Sequence, residues 1–138
     1  MGTRWELTVD VAAPPDAAWE LVGDPTGVPR WFPKYVAAEV DGETRTLRRA
    51  DGGELVERLL ERDDTRRRYS YAVVSGAPVS AHEASFEVEE APGGSRIVWR
   101  TMAEPADPAV DMEERLAPAQ REGLARMKAI LEGALDPA

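Results

Sequence analysis

The sequence predicts an α+β fold, a seven-stranded curved antiparallel sheet wrapped around a long C-terminal helix, with two short helices between the first and second strands. Three observations point there. The N-terminal residues alternate apolar and polar side chains, five turn signals divide residues 36–102 into six strand-like runs, and the C-terminal region carries an apolar stripe at helical spacing.

Trp5, Leu7, Val9 and Val11 alternate with Arg4, Glu6, Thr8 and Asp10, the period-two pattern of a half-buried strand that ends at Ala13-Pro14-Pro15. Asp16 to Val22 reads as a short helix opened by those prolines, with Ala17, Trp19 and Val22 among its apolar positions. Gly23-Asp24-Pro25 stops it. Thr26 to Phe32 is a second short helical or turn segment ending at Pro33. The turns that follow are Asp41-Gly42, Asp51-Gly52-Gly53, Asp63-Asp64-Thr65, Ser75-Gly76-Ala77-Pro78 and Ala91-Pro92-Gly93-Gly94. Short connections of this kind make antiparallel neighbours, so these runs form a six-stranded meander that the first strand joins as a seventh member. A Pro- and Ala-rich loop from Ala103 to Val110 precedes the stripe Leu116, Gly123/Leu124, Met127, Ile130/Leu131 and Leu135. Asp111 and Glu114 resemble a capping box, while Pro118 predicts either a kink or a helix start near Ala117.

Composition narrows the function. With 17 basic and 26 acidic side chains in 138 residues the formal charge is −9, which argues against nucleic acid as a partner. A hydrophobic content of 43% suits one globular domain over residues 1–138. There is no cysteine, and His82 is the sole histidine, which excludes disulfides, thiolate sites and a histidine-rich metal cage. No metal or cofactor is therefore expected. No apolar run approaches the roughly 18 residues of a membrane span, and the alternating N-terminus does not read as a secretory leader. A cytoplasmic protein, monomeric or homodimeric, is expected.

Dimensions predict a hollow. Seven strands at ~4.8 Å spacing span about 29 Å, whereas one helix with its side chains is only ~10–12 Å across. One helix cannot fill that face, and inward residues of mixed size and polarity favour a pocket over solid packing.

Alternation assigns the inward set. His82, Ala84, Phe86 and Val88 face in on the sixth strand, Ile97, Trp99 and Thr101 on the seventh, and Tyr69, Tyr71 and Val73 on the fifth. The fourth strand is ambiguous, because Leu55, Glu57 and Leu59 compete with Val56, Arg58 and Leu60. A three-residue loop at Asp51, with Gly52 left-handed, pairs Leu47 with Leu55 and Arg45 with Glu57. A turn at Asp63-Asp64-Thr65 sets Leu59 against Tyr69 and Glu57 against Tyr71. A two-residue Gly76-Ala77 turn sets Tyr71 beside His82, and a four-residue loop from Ala91 to Gly94 pairs Phe86 with Trp99. One polar row then crosses the inner face: Arg45, Glu57, Tyr71, His82.

The segments Val11-Ala12-Ala13-Pro14-Pro15-Asp16-Ala17-Ala18-Trp19, Val28-Pro29-Arg30-Trp31-Phe32-Pro33, Arg45-Thr46-Leu47, Glu57-Arg58-Leu59, Tyr69-Ser70-Tyr71 and Ile97-Val98-Trp99 resemble the SRPBCC, or START-like, superfamily. Within it the chain is most similar to the polyketide cyclase/dehydrase group. That resemblance runs nearly end to end and implies a helix-grip fold over a ligand cavity. It also implies a small hydrophobic ligand that is polyketide-like, aromatic or lipid, with cyclase, aromatase or dehydratase chemistry as the enzymatic extension. A non-catalytic carrier or sensor of a lipid, sterol or metabolite is the alternative, and a protein-interaction module of the chaperone-activator type is a third.

The resemblance places Arg45 at a strand position where cyclase relatives use an inward arginine to hold a carbonyl or enolate oxygen. Glu57 would orient it or act as base, and His82 or Tyr71 would exchange protons, His82 having a reference pKa near ~6.5. Each has a bland counterpart: a wall histidine satisfied by hydrogen bonds, and a buried charge pair that is structural. Candidate ligand contacts are Trp31, Leu47, Leu55, Leu59, Tyr69, Phe86, Trp99, Leu124 and Met127. Trp31 and Phe32 fit either a lid at the cavity mouth or a staple between the short helices and the sheet, and Trp99 and Phe86 fit either ligand stacking or core.

Overall fold

A computed structural model describes residues 2–134. The elements are β1 (Thr3–Val11), α1 (Pro15–Val22), α2 (Val28–Trp31), β2 (Tyr35–Asp41), β3 (Thr44–Arg49), β4 (Glu54–Asp63), β5 (Arg68–Ser75), β6 (Val79–Ala91), β7 (Gly94–Pro105) and α3 (Met112–Leu131). β2 to β7 run as an antiparallel meander and β1 adds to β7, giving the order β1-β7-β6-β5-β4-β3-β2. This is the seven-stranded curved sheet with a long C-terminal helix that the alternation predicts. No helix among the described residues is long and apolar enough to cross a membrane.

The helices follow their local chemistry. Pro15 opens α1 at its first turn, where the missing N–H costs nothing. Ala18, Trp19, Leu21 and Val22 are its buried face, and the Trp19 indole donates to Asp64 Oδ1 at 3.0 Å, tying α1 to the β4–β5 turn. In α3 the Asp111 carboxylate accepts the Glu114 N–H at 3.1 Å, so the helix starts at Met112 rather than near Ala117. Pro118 stays inside α3 on its exposed side, where water can serve the carbonyl that its missing N–H leaves free. Ala117, Gln120, Gly123, Leu124 and Met127 form the buried stripe; Leu135 lies outside the described residues. β7 continues through Ala103 to Pro105, so the expected loop starts later, at Ala106. Ala103 is fully buried in a small cluster with Trp5 and Met112, which holds that extension down.

Registers agree with the turn arithmetic at two hairpins and depart from it at two. Leu47 faces Leu55 and Arg45 faces Glu57 across a loop with Gly52 at φ 92°. Phe86 faces Trp99 as expected, but the loop is shorter than four residues: Ala91 and Gly94 already pair, leaving Pro92-Gly93 as a two-residue turn in the same register. Between β4 and β5 the loop is Asp64 to Arg67, because Asp63 Oδ1 accepts the N–H groups of Thr65 and Arg66 and so sits before the turn instead of in it. A bulge follows, with Leu60 and Glu61 opposite Ser70 alone, and the Glu61 N–H donates to Ser70 Oγ. Leu59 therefore faces Tyr71 and not Tyr69, and Glu57 faces Val73 and not Tyr71. Between β5 and β6, Tyr71 faces Ala84 instead of His82. Both displacements are by two residues, so every inward side chain stays inward. Leu55 and Glu57 are buried and Leu60 is exposed, which resolves the fourth-strand ambiguity.

Candidate functional site

The site begins where the sheet opens. The β5–β6 ladder ends at the pair Tyr71–Ala84, after which β5 continues along β4 to Ser75 while β6 starts against β7 at Val79. Strands that part leave backbone groups without partners. The Val73 N–H finds one in His82 Nδ1, 3.2 Å away, so the imidazole takes the place of a lost ladder bond.

Beside this opening lies a cavity of about 280 Å³. Its floor is Leu55, Glu57, Tyr71, Val73, His82 and Trp99 from the sheet. Met112, Arg115, Leu116, Ala119 and Gln120 of α3 roof it, Phe32, Lys34, Tyr35 and Arg49 form the rim, and residues 76–79 close one side. A broader depression on the outer face of the sheet is lined by Glu6 and Arg100 among others. There Arg100 pairs with Glu6 at 2.9 Å and with Glu87 at 3.0 Å.

Of the four proposed chemical residues, Glu57, Tyr71 and His82 reach the cavity and Arg45 does not. Arg45 lies behind Glu57, 2% exposed, with Nε donating to Glu57 Oε1 at 2.8 Å and Nη1 to the Pro25 carbonyl at 3.3 Å and the Tyr69 hydroxyl at 3.4 Å. The single row of four is broken: Arg45, Glu57, Val73 and His82 share it, and Tyr71 stands in the next, its ring 5.8 Å from that of His82.

Protonation follows from burial. Desolvation opposes the Arg45 cation, but Tyr69, Glu57 and Tyr71 around it outweigh that and its pKa is raised. Burial pushes the Glu57 carboxyl up, against the pull of Arg45. Burial also lifts the Tyr71 phenol well above 10, with the Glu57 charge adding to the rise. His82 is taken down to about 4 by desolvation. At neutral pH His82 is thus an uncharged ring whose Nδ1 is occupied by Val73, leaving the proton on Nε2. Tyr71 keeps its hydrogen while its oxygen accepts from Trp99 Nε1 at 3.0 Å. The wall offers two hydrogen-bond donors and one carboxylate, and the imidazole is poorly set up as a base.

Of the nine candidate ligand contacts, Leu55 and Trp99 line the cavity. Trp31, Leu47, Leu59, Tyr69, Phe86, Leu124 and Met127 belong to the core behind it. Trp31 is the staple: its ring stacks on Phe32 at 5.4 Å and meets Phe86 and Trp99 edge-on at 5.4 and 5.5 Å. Gly123 makes room for it, since a Cβ there would come 3.2 Å from the indole. Phe32, and not Trp31, reaches the rim, beside Tyr35.

Sequence reasoning missed Gln120 and the rim cations. Gln120 interrupts the α3 stripe between Leu116 and Leu124, and that polar residue at a core position was a usable signal. It accepts from Trp5 Nε1 at 2.7 Å and donates to Thr101 Oγ1 at 2.9 Å. Lys34, Arg49 and Arg115 come from three separate elements, and no spacing rule joins them. Among the described residues no cluster of three or more His, Asp or Glu side chains is placed to hold a metal ion.

The sequence matches the family described as polyketide cyclase / dehydrase and lipid transport over residues 3–132. Among curated proteins none matches. Solved structures match in fold. The protein XoxI from Bacillus cereus is 23% identical with a TM-score of 0.81, covering 94% of each chain. A Thermobifida fusca protein is 28% identical with a TM-score of 0.71, covering 95% of each. Ara h 8.0201 is 18% identical with a TM-score of 0.74, covering 97% of each.

Proposed function

The chain belongs to the polyketide cyclase/dehydrase and lipid transport family, and on that premise we propose that it binds one small, largely apolar molecule between its sheet and α3. The observation that carries the proposal is the cavity of about 280 Å³, walled by Leu55, Val73, Trp99, Leu116 and Phe32 and furnished with a few convergent polar groups. Its volume lies just below the ~300–1,000 Å³ range of pockets for drug-sized ligands. That size favours a ligand of one or two rings, or a short acyl chain, over a large polycycle.

Cyclisation or dehydration of a bound carbonyl compound is the second reading. What favours it is the pairing of two donors, the Tyr71 hydroxyl and His82 Nε2–H, with the Glu57 carboxylate on one wall. Donors of that kind stabilise a carbonyl oxygen as it gains charge, and a carboxylate is the group able to remove a proton. Arg45 then acts as a positioning residue for Glu57.

Native mass spectrometry of the purified protein, alone and after incubation with bicyclic aromatic compounds, tests the first reading. One ligand per chain is expected, with binding lost in Ala119→Phe, which fills the roof. Binding that survives Ala119→Phe, or is not saturable, overturns it. The second reading adds a requirement: product must form, and Glu57→Gln must abolish turnover while ligand is still bound.

A further inference from the structure

The rim carries charge of the wrong sign for this chain. The protein has a formal charge of −9, yet the charged residues lining its cavity are Lys34, Arg49, Arg115 and Glu57. Glu57 is already matched by Arg45 at 2.8 Å, which leaves three cations facing one small space. They arrive independently, Lys34 before β2, Arg49 at the end of β3 and Arg115 in the first turn of α3. Ala119, one turn beyond Arg115, shares the neighbouring cleft with Phe32 and Lys34, which places the two cations on one rim.

Among the described residues no carboxylate pairs with Lys34 or Arg115 within 4.0 Å, and Arg49 has only Asp51 at 3.9 Å. The Lys34 ammonium instead rests 4.7 Å from the Phe32 ring centre and 5.3 Å from that of Tyr35. Burial lowers its pKa, and repulsion from Arg49 lowers it further, so two like charges are held close in the free protein. Asp111, Glu113 and Glu114, the acidic groups nearest in sequence to Arg115, are exposed and do not line the cavity. Glu122 lines the adjoining cleft with Lys34 but not the cavity, and it makes no ion pair with Lys34 within 4.0 Å. Like charges gathered on one rim are relieved by an anion.

We propose that the cavity selects a ligand with a small apolar body and one terminal anionic group, a carboxylate or a phosphate, seated on Lys34, Arg49 and Arg115. This deepens the binding reading above and rests on it. The aromatic floor takes the body, and the rim takes the charge.

Isothermal titration calorimetry with 2-naphthoate, 1-naphthyl phosphate and the neutral 2-naphthamide tests it at low and high salt. The better anion should bind at least about tenfold more tightly than the amide, the scale of one charge-assisted hydrogen bond, with the advantage shrinking as salt rises. A preference for the carboxylate or for the phosphate identifies which group the rim fits. In Lys34→Met/Arg115→Gln, which leaves Arg49 in place, the anion advantage over the amide should fall at least about threefold, and an unchanged advantage overturns the rim as the seat of the anion. An amide that binds the native protein as tightly as both anions overturns the anionic preference and leaves the apolar cavity standing. If none of the three compounds binds, both readings fall.

Discussion

Arg45 and Glu57 face each other across β3 and β4 with Nε and Oε1 2.8 Å apart, both buried, and only Glu57 touches the cavity. The arrangement puts a carboxylate on the floor of an apolar space and its counter-charge behind the floor. A carboxylate in such a place is held ionised only by a partner that cannot lose its proton, and a guanidinium meets that condition. The pair is therefore both a structural element and the device that sets the polarity of the site.

Removing one member should show this. Arg45→Met leaves Glu57 buried without its partner, at an expected cost of about 3–5 kcal/mol in urea unfolding at pH 7. That loss should shrink at acidic pH, because a protonated carboxyl is cheaper to bury than an ionised one. Arg45→Met/Glu57→Leu should recover most of the stability while leaving an apolar floor. A double variant no more stable than the single one would refute the pairing as the source of the cost.

A second relationship joins the polar wall to the core. Trp99 Nε1 donates to the Tyr71 hydroxyl at 3.0 Å, and both residues are buried. Tyr71→Phe leaves that indole N–H without an acceptor and should cost about 1–3 kcal/mol. Adding Trp99→Phe removes the stranded donor, so the two substitutions should be less than additive in a double-mutant cycle. Strict additivity in chemical denaturation would mean that the bond contributes nothing.

The legibility of this molecule divides along a physical line. Alternation is local, so the inward residues of β5 to β7 could be assigned from the chain alone, whereas β4 offered two faces of similar polarity; even the two misplaced registers kept Tyr69, Tyr71 and Glu57 on the inner face. Register is not local. Asp63 capping the β4–β5 turn from outside, together with the bulge opposite Ser70, moved Tyr71 out of the row of Glu57, and neither feature follows from a period-two pattern. The same holds for the cavity. A hollow follows from the mismatch between sheet width and helix diameter, but which residues line it depends on where β5 and β6 separate. That is why Phe86 and Tyr69, inward and aromatic, lie in the core while Val73 and Gln120 reach the space.

His82 sits at that separation, and its titration should be visible in stability. The folded pKa is about 4 against 6.5 for the free side chain, so between these values the unfolded chain binds the extra proton. The stabilisation is complete above about pH 6.5 and is lost as the pH falls toward about 4, amounting to about 2 kcal/mol between pH 7 and pH 5. Glu57, its carboxyl raised by burial, works in the opposite sense, since falling pH protonates the folded form first. The Tyr71 ring also packs against His82 but keeps its proton throughout this range. His82→Asn separates the contributions, because the Asn Oδ1 can still accept the Val73 N–H yet does not titrate. Urea midpoints of the native protein should fall between pH 7 and pH 5 by more than those of His82→Asn, the difference corresponding to about 2 kcal/mol. Equal falls in the two proteins would show that the folded protein takes up the proton on the imidazole as readily as the unfolded chain, and the acceptor role of Nδ1 toward the Val73 N–H would lose its basis at about pH 5.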